Sequence, residues 1–227
     1  GIKMSKSKGN VVSPDDLVRD YGCDSLRIYE LFVGPPELDA EWDDRGIDGV
    51  YRFLNRFWKL VQDSAEANVS ETKEMVKLRH CLIHDITERL ESFSLNTVVS
   101  KFMEYNNKMI DMPKKTGGID KETLSTYVIL LSPFAPHIAE ELWQVLGHDT
   151  SVFAAKWPEH DEDAMKDDEV EVPVQINGKT RAVISIPVDI SKEDAIAKGK
   201  EAVADKLTGT IVKEIYVPKK IINIVQK

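Results

Sequence analysis

Cysteine is scarce: Cys23 and Cys81 are the only two in 227 residues, far apart and without a CxxC spacing. That excludes a disulfide framework and points to a reducing, cytoplasmic setting. No apolar run reaches the ~18 residues of a membrane helix, so no membrane association is expected. The start, Gly1-Ile2-Lys3, has neither a basic-then-apolar leader nor an initiator Met, which fits a piece of a longer chain. A Walker loop, a GxGxxG turn and a Ser-His-Asp grouping are all missing.

A positive excess is also missing. The formal net charge is −9, which on its sum argues against nucleic acid. The distribution is more informative. Residues 1–10 hold three lysines and no acid, and residues 11–49 hold eleven acids against Arg19, Arg27 and Arg45. Residues 159–169 are crowded with acids, and residues 170–227 carry ten basic side chains against seven acidic ones. Basic ends can bind an anion locally despite the overall sign.

What is present begins with Lys3-Met4-Ser5-Lys6-Ser7, followed by Lys8-Gly9-Asn10. Two lysines with hydroxyls between and after them suit a polyphosphate. Such a loop is not an active site by itself.

Helical periodicity dominates the middle of the chain. Ser13-Pro14-Asp15-Asp16 reads as a helix start with Ser13 as cap, and Gly22 stops that helix. Asp24 is expected to cap the next. Apolar residues recur at helical spacing from Val50 to Val61, Met75 to Leu90, Val98 to Ile110 and Leu124 to Leu131. Pro133 and Pro136 then bend the chain into a last helix ending at Gly147. From Val172 the period becomes two. Asn177-Gly178 signals a tight hairpin, Ser191 opens a helix running to about Leu207, and Ile211–Val217 and Ile221–Val225 read as strands.

The expected fold is multidomain and mainly α: a helical bundle followed by a small strand-strand-helix-strand-strand α+β domain. The expected divisions are residues 1–34 for the lysine loop and short connecting helices, 35–158 for the bundle, 159–169 for an acidic linker and 170–227 for the tail domain.

The Lys3–Ser7 segment resembles the KMSKS loop of class I aminoacyl-tRNA synthetases. Gly34-Pro35-Pro36-Glu37, Glu41-Trp42 and the stretch from Arg52 to Val61 resemble leucyl-tRNA synthetases. Ser132-Pro133-Phe134-Ala135-Pro136-His137 with Glu140-Glu141-Leu142-Trp143 is shared with the valyl and isoleucyl enzymes. The tail, Val174 to Ala182 and Ile215 to Pro218, resembles bacterial-type leucyl enzymes. The resemblance covers essentially the whole chain. It implies a helical domain of the anticodon-binding type and a tRNA-binding tail.

It also implies ATP as nucleotide, with Mg2+ in the whole enzyme, and leucine and tRNA(Leu) as the other partners. Lys3, Met4, Ser5, Lys6 and Ser7 are then the ATP-binding residues, and Lys6 is the catalytic one. Attack on the α-phosphate leaves charge on the departing pyrophosphate. A positioned ammonium there stabilises the transition state more than the ground state. The chain alone lacks a nucleotide-fold core, so no amino-acid activation by it is expected, and no cofactor is required to hold it together. It is expected to be monomeric. The alternatives are a stand-alone non-catalytic tRNA-binding module, or the equivalent part of a valyl or isoleucyl enzyme.

Arg52 and Arg56 are four apart on one helix and Lys59 lies near the same stripe, a basic ridge that suits a nucleic-acid backbone. A solvated face paired with Asp48 and Asp63 is the competing reading, and the resemblance favours tRNA. Lys179 and Arg181 beside the hairpin turn, and Lys219 and Lys220 at a second turn, are further candidates for tRNA phosphates. Against that stands ordinary protection of sheet edges by lysine. His80 and His84 have a spacing that can hold a metal, but no third and fourth ligand is evident, so no metal site is expected. Cys23 reads as a small buried residue, and Trp58, Trp143 and Trp157 as core.

Overall fold

The computed structural model describes residues 2–43 and 45–227. Gly1, where the lysine-loop segment begins, and Asp44, one of the acids between residues 11 and 49, lie outside the described residues. The chain divides into two compact units, Gly1–Met165 and Lys166–Lys227.

The first unit is helical: α1 (Pro14–Tyr21), α2 (Cys23–Phe32), α3 (Gly46–Ala67), α4 (Lys73–Glu91), α5 (Leu95–Asp111), α6 (Pro113–Thr116), α7 (Lys121–Leu131) and α8 (Pro136–Val145). The apolar spacing explains its centre. On α3, Val50, Phe53, Leu54, Phe57, Leu60 and Val61 are all buried, as a 3.6-residue period requires of one face. Phe57 stacks on Tyr127 of α7 with ring centroids 4.2 Å apart, and Phe102 of α5 packs beside Tyr127 at 5.3 Å. The buried Tyr127 hydroxyl donates to the Phe102 carbonyl at 2.6 Å, so the aromatic cluster leaves no phenol without a partner.

Helix starts follow the expected chemistry in places. Thr72 accepts the Met75 amide at the head of α4, and Asp120 accepts the Thr123 amide at the head of α7. Pro14 and Pro136 sit in the first turns of α1 and α8. Ser13 is the N-cap residue of α1, yet its hydroxyl makes no cap hydrogen bond.

The expectation for Asp24 is corrected. Gly22, at φ 84°, precedes α2, and Asp24 lies inside that helix, where it is buried. Its carboxylate instead caps α8, accepting the Ile138 amide at 2.7 Å and sitting 2.8 Å from His137 Nδ1. The physical reason is that Ala135, the residue before α8, has no side-chain acceptor for the orphan amides of the first turn.

Two further expectations fail. Cys23 is exposed. Trp157 is 38 % exposed, its indole N–H donating to Thr87 Oγ1 at 3.0 Å. Trp143 is buried as expected.

His148 stacks on Trp143 at 3.6 Å, with Nε2 2.8 Å from Ser125 Oγ. Burial, then the nearby Lys121 ammonium, pushes His148 below the usual imidazole range. A depressed histidine favours the folded state fully above its unfolded value of about 6.5. That contribution is lost as the pH falls from there through the folded value, because the unfolded chain then binds the proton first. Urea midpoints measured at pH 7.5 and 5.5 are expected to differ less in His148→Asn than in the parent chain. Equal differences would remove His148 as a source of acid sensitivity.

The second unit is a four-stranded sheet in the order β2-β1-β4-β3. The elements are β1 (Glu169–Ile176), β2 (Lys179–Pro187), α9 (Lys192–Ala202), β3 (Ile211–Val217) and β4 (Ile221–Gln226). β1 and β4 run parallel at the centre, and each outer strand is antiparallel to its neighbour. Alternate residues Val172, Val174 and Ile176 of β1 and Ile222 and Ile224 of β4 meet Ala195 of α9 in a separate core. Asn177 and Gly178 have φ of 50° and 79°, the left-handed pair that a tight hairpin needs. Asn177 also bonds both backbone groups of Gln226, tying the hairpin to β4.

Ser191 caps α9 through the Asp194 amide. The helix ends at Ala202, short of Leu207, and a 3₁₀ turn at Ala204–Lys206 completes the crossover. Gly199 lies against Ile222, where an added Cβ would come within 3.0 Å of its side chain. That accounts for a poor helix former in mid-helix.

Candidate phosphate loop and nucleic-acid interface

The lysine loop is a single tight turn. Lys6–Lys8 form a 3₁₀ turn closed by Gly9 at φ 63°. The Gly9 amide donates to Lys6 O at 3.2 Å, and the Lys8 amide to Ser5 O at 3.1 Å. Asn10 closes the turn from outside, since its Oδ1 accepts the Ser5 amide at 2.9 Å while its Nδ2 reaches Lys3 O at 3.5 Å. Ser5 and Ser7 place their hydroxyl oxygens 3.2 Å apart. Among the described residues, no ion pair occupies Lys3 or Lys6, and both are exposed. Two ammonium groups and two neighbouring hydroxyls on one clasped turn are chemistry that suits an anion. Asn10 stands beside the lysine motif in the sequence, and its hold on Ser5 is visible only once the turn closes.

On α3 the ridge residues Arg52, Arg56 and Lys59 are all exposed, while Phe53, Phe57 and Leu60 are buried beneath them. Arg52 bonds the Asp48 carbonyl at 3.3 Å, and Arg56 bonds Asn107 Oδ1 of α5 at 3.0 Å. Neither contact neutralises a guanidinium. Lys59 does pair with a carboxylate, Asp63 at 2.9 Å, but both side chains are largely exposed and the pair holds weakly.

Beside the ridge runs a second stripe, Tyr51, Asn55 and Trp58, at i, i+4 and i+7. These three line a mostly apolar cleft of about 280 Å³ together with Tyr21, Cys23 and His137. Tyr21 and Tyr51 meet edge to face at 5.8 Å. Trp58 is half-buried and packs against the helical core, in keeping with its reading as a core residue, while Tyr51 and Asn55 are not among the candidate site residues of the sequence. Their shared spacing was the available signal. Aromatic rings in a cleft beside a basic stripe suit stacking next to phosphate neutralisation.

In the second unit Lys179, Arg181, Lys219 and Lys220 are exposed, as read from the sequence. Lys219 takes φ 60° in the turn between β3 and β4. The structure keeps Lys179 and Arg181 together on β2, and Lys219 and Lys220 together in that turn.

Residues 72–196, more than half of the chain, match the family model of the anticodon-binding domain of tRNA ligases. The chain belongs to that family. Residues 1–43 match the model of class I tRNA synthetases (I, L, M and V). A leucine–tRNA ligase of Fervidobacterium nodosum is 46% identical, with all of this chain and 30% of the relative aligned. The leucine–tRNA ligase of Pseudothermotoga lettingae is 44% identical over 99% of this chain and 30% of its own length.

A solved ternary complex of Agrobacterium radiobacter K84 agnB2 LeuRS with tRNA and LeuAMS is 30% identical. It has a TM-score of 0.73, covering 100% of this chain and 32% of that one. The chain thus spans about a third or less of the length of the proteins it resembles. Among the described residues, no helix is long and apolar enough to cross a membrane.

Proposed function

We propose that this chain is the C-terminal part of a leucine–tRNA ligase. In that reading its first residues close over ATP and the rest holds tRNA(Leu). The observation that carries the reading is the clasped Lys3–Ser7 turn, whose lysines meet no carboxylate among the described residues, in a chain 46% identical along its whole length to a leucine–tRNA ligase. Lys6 stabilises the departing pyrophosphate, and Lys3, Met4, Ser5 and Ser7 complete the contact with ATP. Mg2+ accompanies the nucleotide, and leucine is the amino acid joined. The protein acts in the cytoplasm as a monomer.

The divisions proposed are the loop and connecting helices to residue 34, the bundle to residue 158, the acidic stretch to residue 169 and the tail beyond. Arg52, Arg56 and Lys59 contact the tRNA backbone, with Tyr51, Asn55 and Trp58 beside them. Lys179, Arg181, Lys219 and Lys220 add phosphate contacts from the tail. Because the ridge reads phosphate, it supplies affinity, and discrimination among tRNAs comes from shape.

A titration with tRNA(Leu) and with a second tRNA at two salt concentrations tests this. Binding is expected to favour tRNA(Leu) and to weaken as salt rises. The double variant Arg52→Ala with Arg56→Ala is expected to lower the slope of log affinity against log salt by about 2, roughly one for each lost phosphate contact. Binding that ignores salt, or a slope the double variant leaves unchanged, would remove α3 from the interface.

A further inference from the structure

Ridge and cleft residues are sequence neighbours on α3: Tyr51 precedes Arg52, Asn55 precedes Arg56 and Trp58 precedes Lys59. One residue is about 100° of helix, so the two stripes run side by side for two turns. Their chemistries differ. The ridge is cationic, whereas among the described residues the cleft wall holds no lysine or arginine. The carboxylate in that wall, Asp24, is engaged by the Ile138 amide and by His137. An anion is therefore served by the ridge and an uncharged group by the cleft.

Inside the cleft, flat apolar surfaces stand around a few polar groups. Tyr51 is 41 % exposed and meets Tyr21 edge to face, while Trp58 is half-buried. Asn55 gives Nδ2 to the Tyr51 carbonyl at 2.8 Å, which fixes its amide and leaves Oδ1 as an acceptor. With Nδ1–H on Asp24, the neutral His137 ring keeps Nε2 as a second acceptor. Ser25 is only 2 % exposed, yet no described residue hydrogen-bonds its hydroxyl. The Trp143 indole N–H is sealed in without a partner, but Ser25 belongs to the cleft wall. A hydroxyl so placed calls for a partner in the cleft itself. At about 280 Å³ the space lies just below the usual range of ligand sites, a size for one ring system and not for a whole nucleotide.

We infer that the cleft takes a single nucleobase, unstacked from an RNA strand whose phosphates lie on Arg52 and Arg56. The site depends on the reading of α3 as a tRNA-binding ridge and supplies its second half. The base faces pack on Tyr51 and Trp58, and the base edge meets Asn55, His137 and Ser25. An edge that carries an amino or imino N–H suits the two acceptors. A polynucleotide presents a flat ring and an anion in every repeat, which matches a cleft residue followed by a ridge residue at 51 and 52 and again at 55 and 56.

The test is tRNA(Leu) binding by the full chain, with affinity and its salt slope read separately. Tyr51→Ala is expected to weaken binding by about 5- to 150-fold, the loss of one stacked base, with the salt slope unchanged. Tyr51→Phe keeps the ring and is expected to bind within about twofold of the parent. Tryptophan fluorescence should fall as the tRNA binds, and Trp58→Phe should shrink that fall. If the Arg52→Ala, Arg56→Ala variant leaves the slope unchanged, the tRNA reading of α3 fails and the base site fails with it. If that variant lowers the slope while Tyr51→Ala binds like the parent, the base site alone is overturned. A lowered slope in Tyr51→Ala would make Tyr51 a prop for the ridge, and a quench that survives Trp58→Phe in full would place the base elsewhere. A chain that sediments as a dimer, and as a monomer once Tyr51 is alanine, would give the cleft to a second copy. Circular dichroism checks that each variant is folded.

Discussion

Replacing Lys6 by alanine, in a ligase that carries this chain, is expected to lower leucine-dependent ATP–pyrophosphate exchange by about 100- to 1,000-fold, the usual cost of one preorganised donor at a developing anion. The structure gives this expectation its form. Lys6 opens a 3₁₀ turn whose ends are held by Asn10, so its ammonium is presented on a short, closed loop. No ion pair among the described residues competes for it. The loss should fall on kcat, with the KM for ATP changing far less, since the charge appears as pyrophosphate leaves. Lys6→Arg keeps the charge with a different shape and should recover only part of the rate. A loss shared equally between KM and kcat, or one below about tenfold, would make Lys6 a ground-state contact. The isolated 227-residue chain is expected to give no exchange, which provides the baseline.

The second large effect concerns the helical unit. Phe57→Ala should destabilise it by about 3–5 kcal/mol. Phe57 is fully buried and stacks on Tyr127, whose own ring touches Phe102. The vacated space is bounded by three helices, α3, α5 and α7, so it cannot collapse cheaply. Tryptophan fluorescence reads this unit alone, because Trp42, Trp58, Trp143 and Trp157 all lie before residue 166. The urea midpoint of that signal should fall sharply, while the tail's own core, built on Val174 and Ile222, is untouched. A cost under about 1 kcal/mol would contradict the enclosure of Phe57.

Much of this fold is legible in the sequence alone. The α3 column from Val50 to Val61 and the alternation from Val172 to Ile176 announce their elements because period follows which side faces the core. The Asn177-Gly178 hairpin was equally plain, since few residue pairs adopt two left-handed conformations. Asp24 was misread, because a cap donated across the unit leaves no mark near its own position. Cys23 and Trp157 were misread for a related reason: composition says that such residues are usually buried, and only packing says where the surface runs.

The lysine turn at the front, the helical bundle and the succession of strands and helix along the tail were determined by the sequence itself, through local charge, spacing and turn chemistry. What only the tertiary structure decided is which distant residues meet. It set Asp24 under α8, and Tyr51, Asn55 and Trp58 around a cleft beside the arginine ridge. Those meetings depend on how helices pack against one another, and packing is a property of surfaces in contact that no single stretch of sequence carries.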